Sequence, residues 1–383
     1  MINLEGTLPN DRVYEPVIDR HDAWIVVNGM QGCPKNCGYC YLKDRNQTLV
    51  KPVMVATPER TLQQLLDSPY YTPDAKLALY TCTDALATPR NRHHLTRLLD
   101  LMAQARLKNP VCLITKCAFT QDVLDCLVRV QIAGLKVIVF LSYSGLGPDV
   151  EKGIKHDELR NNFPALHAIG TPIIHYWRPL TPKNSTPEVI DRVLSLVTRY
   201  AECSVAIGLK VKPGAREQML ELWPELAAAS EDLENAASVW PISMRKALTN
   251  LPFRYGDYPI YETNSCALAF VMGQPDRSNI LDSAVCQRNH CPLFQRERCL
   301  SRPPLPTIDE QAIDAQLRRL DIDGTPYTLE VADRTVTFSR PIPSGHANTL
   351  AAALQVRVKT PKSDSDLYWP GKASAGKPLT IEG

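Results

Sequence analysis

Six apolar runs, each followed by a helix-like stretch, constrain this chain more than any other feature. The runs are Ala23–Val27, Lys76–Cys82, Pro110–Thr115, Lys136–Ser142, Pro172–Trp177 and Ser204–Val211, rich in Val, Ile, Leu and Tyr. Continuous apolar runs, rather than alternating ones, are what strands buried on both faces require. Helices are predicted between them. Thr57-Pro58-Glu59 reads as an N-cap, an N1 proline and an acidic first turn for a helix reaching about Leu66. Others are predicted over Asn91–Arg106, Thr120–Ile132, Asp157–His167 and Pro187–Tyr200. Strands and helices in this order imply right-handed crossovers and a parallel sheet. Six units are too few to close an eight-stranded barrel, so the expected fold is α/β, a partial (β/α)6 barrel. Ligands then belong at the carboxyl ends of its strands.

The pattern changes after residue 212. Ala215–Ser230 reads as a helix, and a looser stretch with Pro241, Pro252 and Pro259 leads to a cysteine-rich segment. Arg302-Pro303-Pro304-Leu305-Pro306 marks a boundary. Ile308–Leu320 reads as a helix and Tyr327–Ala332 with Thr335–Ser339 as a hairpin, and from about Lys359 the composition is that of a weakly ordered tail. The division expected is an N-terminal extension at 1–22, the barrel at 23–212, a cysteine-rich extension at 213–301, and a small α+β region with its tail at 302–383.

Across 383 residues, a net charge of +2 gives no overall bias toward nucleic acid, membrane or acidic partners. No apolar run approaches the ~20 residues of a membrane span, and Met1–Arg20 carries polar and acidic residues where a secretory signal would be apolar. A soluble, cytoplasmic protein with no membrane partner is the expectation. In that setting the 12 cysteines read as metal ligands or buried small side chains rather than a disulfide framework. Cys82, Cys112, Cys117, Cys126 and Cys203 stand singly and are expected in the core.

The remaining cysteines fall in two groups. The first, Cys33-Pro-Lys-Asn-Cys37-Gly-Tyr-Cys40, follows the first strand directly. Its short gaps let one loop wrap one [4Fe–4S] cluster, with Gly32 and Gly38 supplying unusual dihedrals. Three thiolates hold three of four irons and leave the fourth open to a small molecule, unlike the saturated cluster of an electron carrier. Zinc, which takes four ligands, lacks a fourth nearby. A zinc loop and three unrelated core cysteines are the other readings of this trio.

A CxxxCxxC loop with Tyr39 before the third cysteine, after the first strand of a β/α series, resembles the radical SAM superfamily. The loop from Gly32 to Leu42, Thr83-Asp84, Thr115-Lys116, Arg178-Pro179-Leu180 and Asn184-Ser185 look like the spore photoproduct lyase branch, a resemblance covering roughly Trp24–Val211. It implies that Cys33, Cys37 and Cys40 ligate a [4Fe–4S] cluster and that S-adenosylmethionine (SAM) chelates the open iron. It also implies reductive cleavage to a 5′-deoxyadenosyl radical, an external donor of the flavodoxin or ferredoxin type, and oxygen sensitivity. Tyr39 would lie near the adenine. Thr81, Thr83 and Asp84 stand where the family binds the methionyl amino group, although its Gly-Gly-Glu motif is absent. Ser142 and Ser144 stand where hydroxyls meet the ribose, and Lys116 or Arg178 would neutralise the SAM carboxylate or grip an anionic substrate. Surface positions for those two cations are the other reading, as is a solvated one for Glu151 and Arg160. His93-His94 is expected at the surface. His175 and Tyr176 share a strand and so must face opposite sides.

The second group, Cys266, Cys286, Cys291 and Cys299, has gaps of nineteen, four and seven residues, with His290 as a spare ligand. It reads as an auxiliary [4Fe–4S] cluster, with structural zinc or no metal as alternatives. It departs from the spore photoproduct lyase branch, which needs only its SAM cluster. The function expected is SAM-dependent radical chemistry on a nucleotide or nucleic acid, a small metabolite or a peptide. The rival is a non-catalytic iron–sulfur or zinc protein that senses redox state or binds nucleic acid.

Overall fold

The structure, a computed structural model, describes residues 2–3, 6–21, 23–211, 213–229, 233, 238–250, 255–276, 291–301, 303–362, 366–367 and 379–381. Its centre is an open eight-stranded sheet. The strands used below are β1 (Ile18–Arg20), β2 (Ile25–Val27), β3 (Asn36–Cys37), β4 (Leu77–Leu79), β5 (Val111–Thr115), β6 (Val137–Leu141), β7 (Glu151–Lys152), β8 (Ile173–Leu180), β9 (Cys203–Gly208) and β10 (Ile260–Tyr261). The sheet runs β10-β9-β8-β6-β5-β4-β2-β1. All its neighbours are parallel except β1 and β2. The six predicted strands are therefore its middle. The sequence reading missed β1, whose Ile18-Asp19-Arg20 is not an apolar run, and β10, which is only two residues long.

Five helices fill the crossovers: α1 (Pro58–Leu66), α2 (Pro89–Gln104), α3 (Gln121–Ile132), α4 (His156–Ala168) and α5 (Pro187–Val197). Their starts follow local chemistry. Thr57, Thr88 and Thr186 each accept from a first-turn N–H, and each is followed by proline. Downstream, Ala215–Ser230 is not one helix. A short helix at Arg216–Leu222 gives way to a 3-10 segment at Pro224–Ala229. Pro224 cannot supply a helical N–H, which accounts for the break. Beyond residue 302 the expected helix is Glu310–Arg319, and the hairpin pairs Tyr327–Glu330 with Thr335–Phe338 in antiparallel register. Near the end of the chain, Leu379–Ile381 lies parallel to Val239–Pro241.

The two faces of the sheet carry separate cores. Ile25, Leu79, Leu113, Val139, Ile173 and Trp177 pack against α1–α5. Trp24, Ala78, Cys112, Phe140, Ile174, Tyr176 and Cys203 face the other way and are covered in part by a helix at Asn264–Val271. Among the single cysteines, Cys82, Cys112, Cys126 and Cys203 are buried and Cys117 is half-buried. Each of the four is a small side chain filling a packed layer.

His175 faces the helices and Tyr176 the opposite core, which decides the alternative the strand left open. The His175 ring lies 6.1 Å from Phe163 and 5.7 Å from Trp177. Its Nε2 donates to the Tyr143 carbonyl at 2.7 Å, so Nδ1 accepts from Ser204 Oγ at 2.8 Å. His94 is also buried rather than at the surface; its Nε2 donates to the Ala56 carbonyl at 2.8 Å and Nδ1 accepts from Tyr80 at 2.6 Å. His93 remains exposed. Adjacent helix residues point about 100° apart, so the pair could not share one environment.

Burial is the main cause that pushes both His94 and His175 down to about 4. In the unfolded chain each imidazole titrates at its ordinary value near 6.5. The unfolded state thus binds more protons between those values, and the stability present above pH ~6.5 falls as pH drops toward 4. Denaturant unfolding across this window should show that decline, and His175→Gln should flatten it. An unchanged slope in the variant would contradict the assignment.

Candidate functional site

The Cys33–Cys40 loop leaves the carboxyl end of β2 and crosses the strand ends. Gly32 precedes it with φ +87°, and a Cβ there would lie 3.1 Å from Val50, so this turn needs glycine. Gly38 has no such demand, because its φ is not positive and an added Cβ would make only an ordinary 3.7 Å contact. Two backbone ties hold the loop. Cys33 N donates to the Gln47 carbonyl at 2.8 Å, and β3 pairs antiparallel with β7, setting Cys37 opposite Glu151.

Cys33 and Cys37 are buried and Cys40 is half-buried, with Cys33 and Cys40 in one small cluster with Leu42 and Cys82. Burial pushes the thiols of Cys33 and Cys37 up to about 12 and raises that of Cys40. Against burial, Lys116 acts on both Cys37 and Cys40. Three largely neutral, enclosed thiols beside a cation suit metal exchange, since a bound metal displaces the thiol proton outright. Among the described residues no three His, Cys, Asp or Glu side chains converge to hold one metal ion. An iron–sulfur cluster does not ask for that convergence, because each thiolate binds its own iron. The donor set fits such a cluster.

Glu151 organises the surroundings. The sequence reading placed it in solvent, yet it is 0% exposed. The Tyr39 hydroxyl donates to its Oε1, and Lys116 Nζ lies 2.8 Å from the same atom. His156 sits 3.7 Å from Oε2. Tyr39 is thereby held by a carboxylate, with the Lys116 ammonium 5.7 Å from its ring centroid. Neither Glu151 nor His156 had a sequence signal. β7 is two residues long, and only its pairing with the cysteine loop gives it meaning. Arg160, by contrast, is only half-buried and pairs with the exposed Asp157 at 2.5 Å.

The other candidates gather at the same edge of the sheet. Asp84 accepts from Thr115 Oγ1 at 2.8 Å, Lys116 N at 2.7 Å and Leu86 N at 3.0 Å, bracing one strand end against the next. Thr83 Oγ1 donates to the Gly32 carbonyl at 2.5 Å, and the Thr81 carbonyl accepts from Tyr41. Ser142 offers its carbonyl to Lys116 Nζ at 3.0 Å. Ser144 Oγ accepts from Leu146 N at 3.1 Å. Arg178 Nη1 donates to the Tyr176 hydroxyl at 2.7 Å. Lys116 thus meets both Tyr39 and the Ser142 carbonyl, and Thr81 and Thr83 reach the cysteine loop at Tyr41 and Gly32, while Asp84, Ser144 and Arg178 bond to Thr115, Leu146 and Tyr176 rather than to that loop.

Of the second cysteine group, Cys286 and the spare ligand His290 lie outside the described residues. The other three sit below the sheet's second core. Cys266 Sγ donates to Asp276 Oδ2 at 3.3 Å, Asp276 N donates to Cys299 Sγ at 3.4 Å, and Cys291 Sγ is 3.8 Å from the Tyr261 hydroxyl. Among the described residues no helix is long and apolar enough to cross a membrane.

No family model and no curated protein match the chain. Among solved structures, spore photoproduct lyase complexed with dinucleoside spore photoproduct is 13% identical with a TM-score of 0.42, over 52% of this chain and 61% of that one. Streptococcus suis SuiB bound to S-adenosylmethionine is 12% identical with a TM-score of 0.40, over 60% of this chain and 47% of that one. The radical S-adenosylmethionine methyltransferase TsrM from Kitasatospora setae, with tryptophan and a SAM analogue bound, is 12% identical with a TM-score of 0.38, over 50% and 37%. This chain therefore matches less than two thirds of the length of each of these three.

The Lys116–Glu151 pair gives a direct test of the site's electrostatics. Lys116→Met leaves a buried carboxylate without its cation and should cost about 3–5 kcal/mol. Adding Glu151→Leu should recover much of that loss in a double-mutant cycle read by denaturant unfolding. Strict additivity of the two substitutions would show that the pair is not coupled.

Proposed function

We propose that this chain is a radical SAM enzyme, with Cys33, Cys37 and Cys40 holding a [4Fe–4S] cluster at the carboxyl edge of the parallel sheet. What carries the reading is a set of three enclosed thiols on one loop, with Lys116 beside them, at the edge where parallel α/β sheets bind ligands. When bound, the cluster and SAM supply one-electron cleavage of the sulfonium to a 5′-deoxyadenosyl radical, with the electron drawn from a flavodoxin- or ferredoxin-type donor.

The protein's own part is to position and to exclude water. Glu151 fixes Tyr39 and Lys116 against the loop. Asp84 and Thr83 hold the loop after β4 in register with the cysteine loop and with β5. We read the carbonyls and hydroxyls of Thr81, Ser142 and Ser144 as the polar lining for SAM. A non-catalytic redox sensor or binding module explains the loop less well, since neither task requires an open iron. The substrate classes that fit are a nucleotide or nucleic acid, a small metabolite and a peptide.

Cys266, Cys286, Cys291 and Cys299 are read as a second metal site, an auxiliary [4Fe–4S] cluster in preference to zinc. Support comes from Cys266 and Cys299 both lying against Asp276. Cys291 lies 3.8 Å from the Tyr261 hydroxyl, in the core layer that also holds Cys266.

Anaerobically reconstituted protein with dithionite and SAM should release 5′-deoxyadenosine, and Cys37→Ala should abolish it. Product at the level of that variant in the wild type would end the enzyme reading. Iron and sulfide analysis should give two clusters, with Cys291→Ala losing one and retaining SAM cleavage chemistry at the other. A single cluster in the wild type, or bound zinc, would remove the auxiliary cluster.

A further inference from the structure

Two cations, Lys116 after β5 and Arg178 on β8, stand at the carboxyl edge of the sheet, and they are not equivalent. Lys116 is neutralised by Glu151 at 2.8 Å and also donates to the Ser142 carbonyl at 3.0 Å. Arg178 ion-pairs with no carboxylate among the described residues. Its partner is a neutral group: Nη1 donates to the Tyr176 hydroxyl at 2.7 Å, and the guanidinium carbon lies 5.1 Å from the Tyr176 ring centroid. A half-buried charge without a counter-charge is costly, and an incoming anion offsets that cost.

The donors of this pair are incomplete in a particular way. A guanidinium has five N–H groups, and a phenol both accepts and donates. Tyr176 uses its oxygen to accept from Arg178, which leaves its own proton to donate, and the described residues offer that proton no acceptor. Arg178 likewise keeps N–H groups beyond the one it gives to Tyr176. The frame beneath is rigid. Tyr176 is only 4% exposed and meets Phe140 edge-on, with centroids 5.4 Å apart and planes at 80°. Donors fixed in advance on a buried strand recognise an oxyanion with little ordering cost. Planar guanidinium geometry suits carboxylate and phosphate.

The two cations have different supports. Lys116 lies against Glu151 at 2.8 Å and 5.7 Å from the ring centroid of Tyr39 in the cysteine loop, whereas Arg178 is held by Tyr176, part of the apolar layer with Ile174 and Phe140.

Building on the radical SAM reading, we propose that Arg178 and Tyr176 form the substrate's anchoring subsite, which takes a carboxylate or phosphate oxyanion. The substrate class narrows accordingly to molecules that bear such a group, held at Arg178 with the rest of the molecule directed toward the cysteine loop.

Inorganic phosphate is the probe, measured by equilibrium dialysis against the full chain with and without its cluster, and SAM affinity is measured in parallel on the cluster-loaded protein. The wild type should bind phosphate saturably. Arg178→Gln should weaken it by about tenfold or more, and Tyr176→Phe, which keeps the ring, by a smaller factor. SAM affinity should stay within about twofold in both variants, and matching thermal melts establish that they fold. Absence of saturable phosphate binding in the wild type, or wild-type binding in Arg178→Gln, overturns the proposal. So does an Arg178→Gln protein that loses SAM by about tenfold, which would give this anion site to the cofactor. Phosphate dialysis needs neither cluster nor SAM, so failure of the radical SAM reading would register separately, in the absence of 5′-deoxyadenosine.

Discussion

Parallel strand order is the constraint on which everything else in this protein depends. Parallel neighbours cannot be joined by tight turns, so each connection must cross over, and each crossover here carries a helix on one face. Two consequences follow. The helix-facing core becomes large and continuous, and the loops that follow the strands all emerge at one edge. The cysteine loop after β2, the Thr81–Asp84 turn after β4, Lys116 after β5, Ser142 after β6 and Arg178 on β8 are far apart in sequence and adjacent in space for this one reason.

Within that edge, charge is balanced unevenly, and the unevenness gives the site its character. A buried carboxylate, Glu151, neutralises Lys116 and orients Tyr39, and its strand pairs with the cysteine loop. Desolvating an ion pair costs more than it returns unless its remaining partners are good, and here Tyr39 and the Ser142 carbonyl supply them. Among the described residues Arg178 has only a phenol. One cation is thus paired within the scaffold, and the other is the one we propose as the anchor for an oxyanion.

The parts of the fold that were legible in the sequence are those whose signal is local. Continuous Val, Ile and Leu runs gave the six central strands, and Thr-Pro pairs gave the starts of α1 and α5. The edge strand β1, Ile18-Asp19-Arg20, lacks an apolar run, and β10 has only two residues. Pro224 breaks what reads as one amphipathic stretch. His94, set beside the exposed His93, shows why residue type alone does not report burial: one helical step turned it from solvent into a pocket between Tyr80 and Ala56.

By itself the sequence determined the chemistry on offer: three thiols at CxxxCxxC spacing, four more toward the far end, and a parallel α/β frame that places ligands at strand ends. Each of these rests on residue type and short spacing, which no tertiary contact can alter. Only the tertiary structure decided what surrounds the first thiols. Glu151 lies more than a hundred residues from Tyr39, and its meaning comes from a two-residue strand pairing with Cys37. Which of His175 and Tyr176 takes the sheet's second face, and that Lys116 meets a carboxylate while Arg178 meets a phenol, was settled by packing and by pairing across the sheet. Both are long-range interactions, and a linear pattern does not encode which distant partner a side chain will meet.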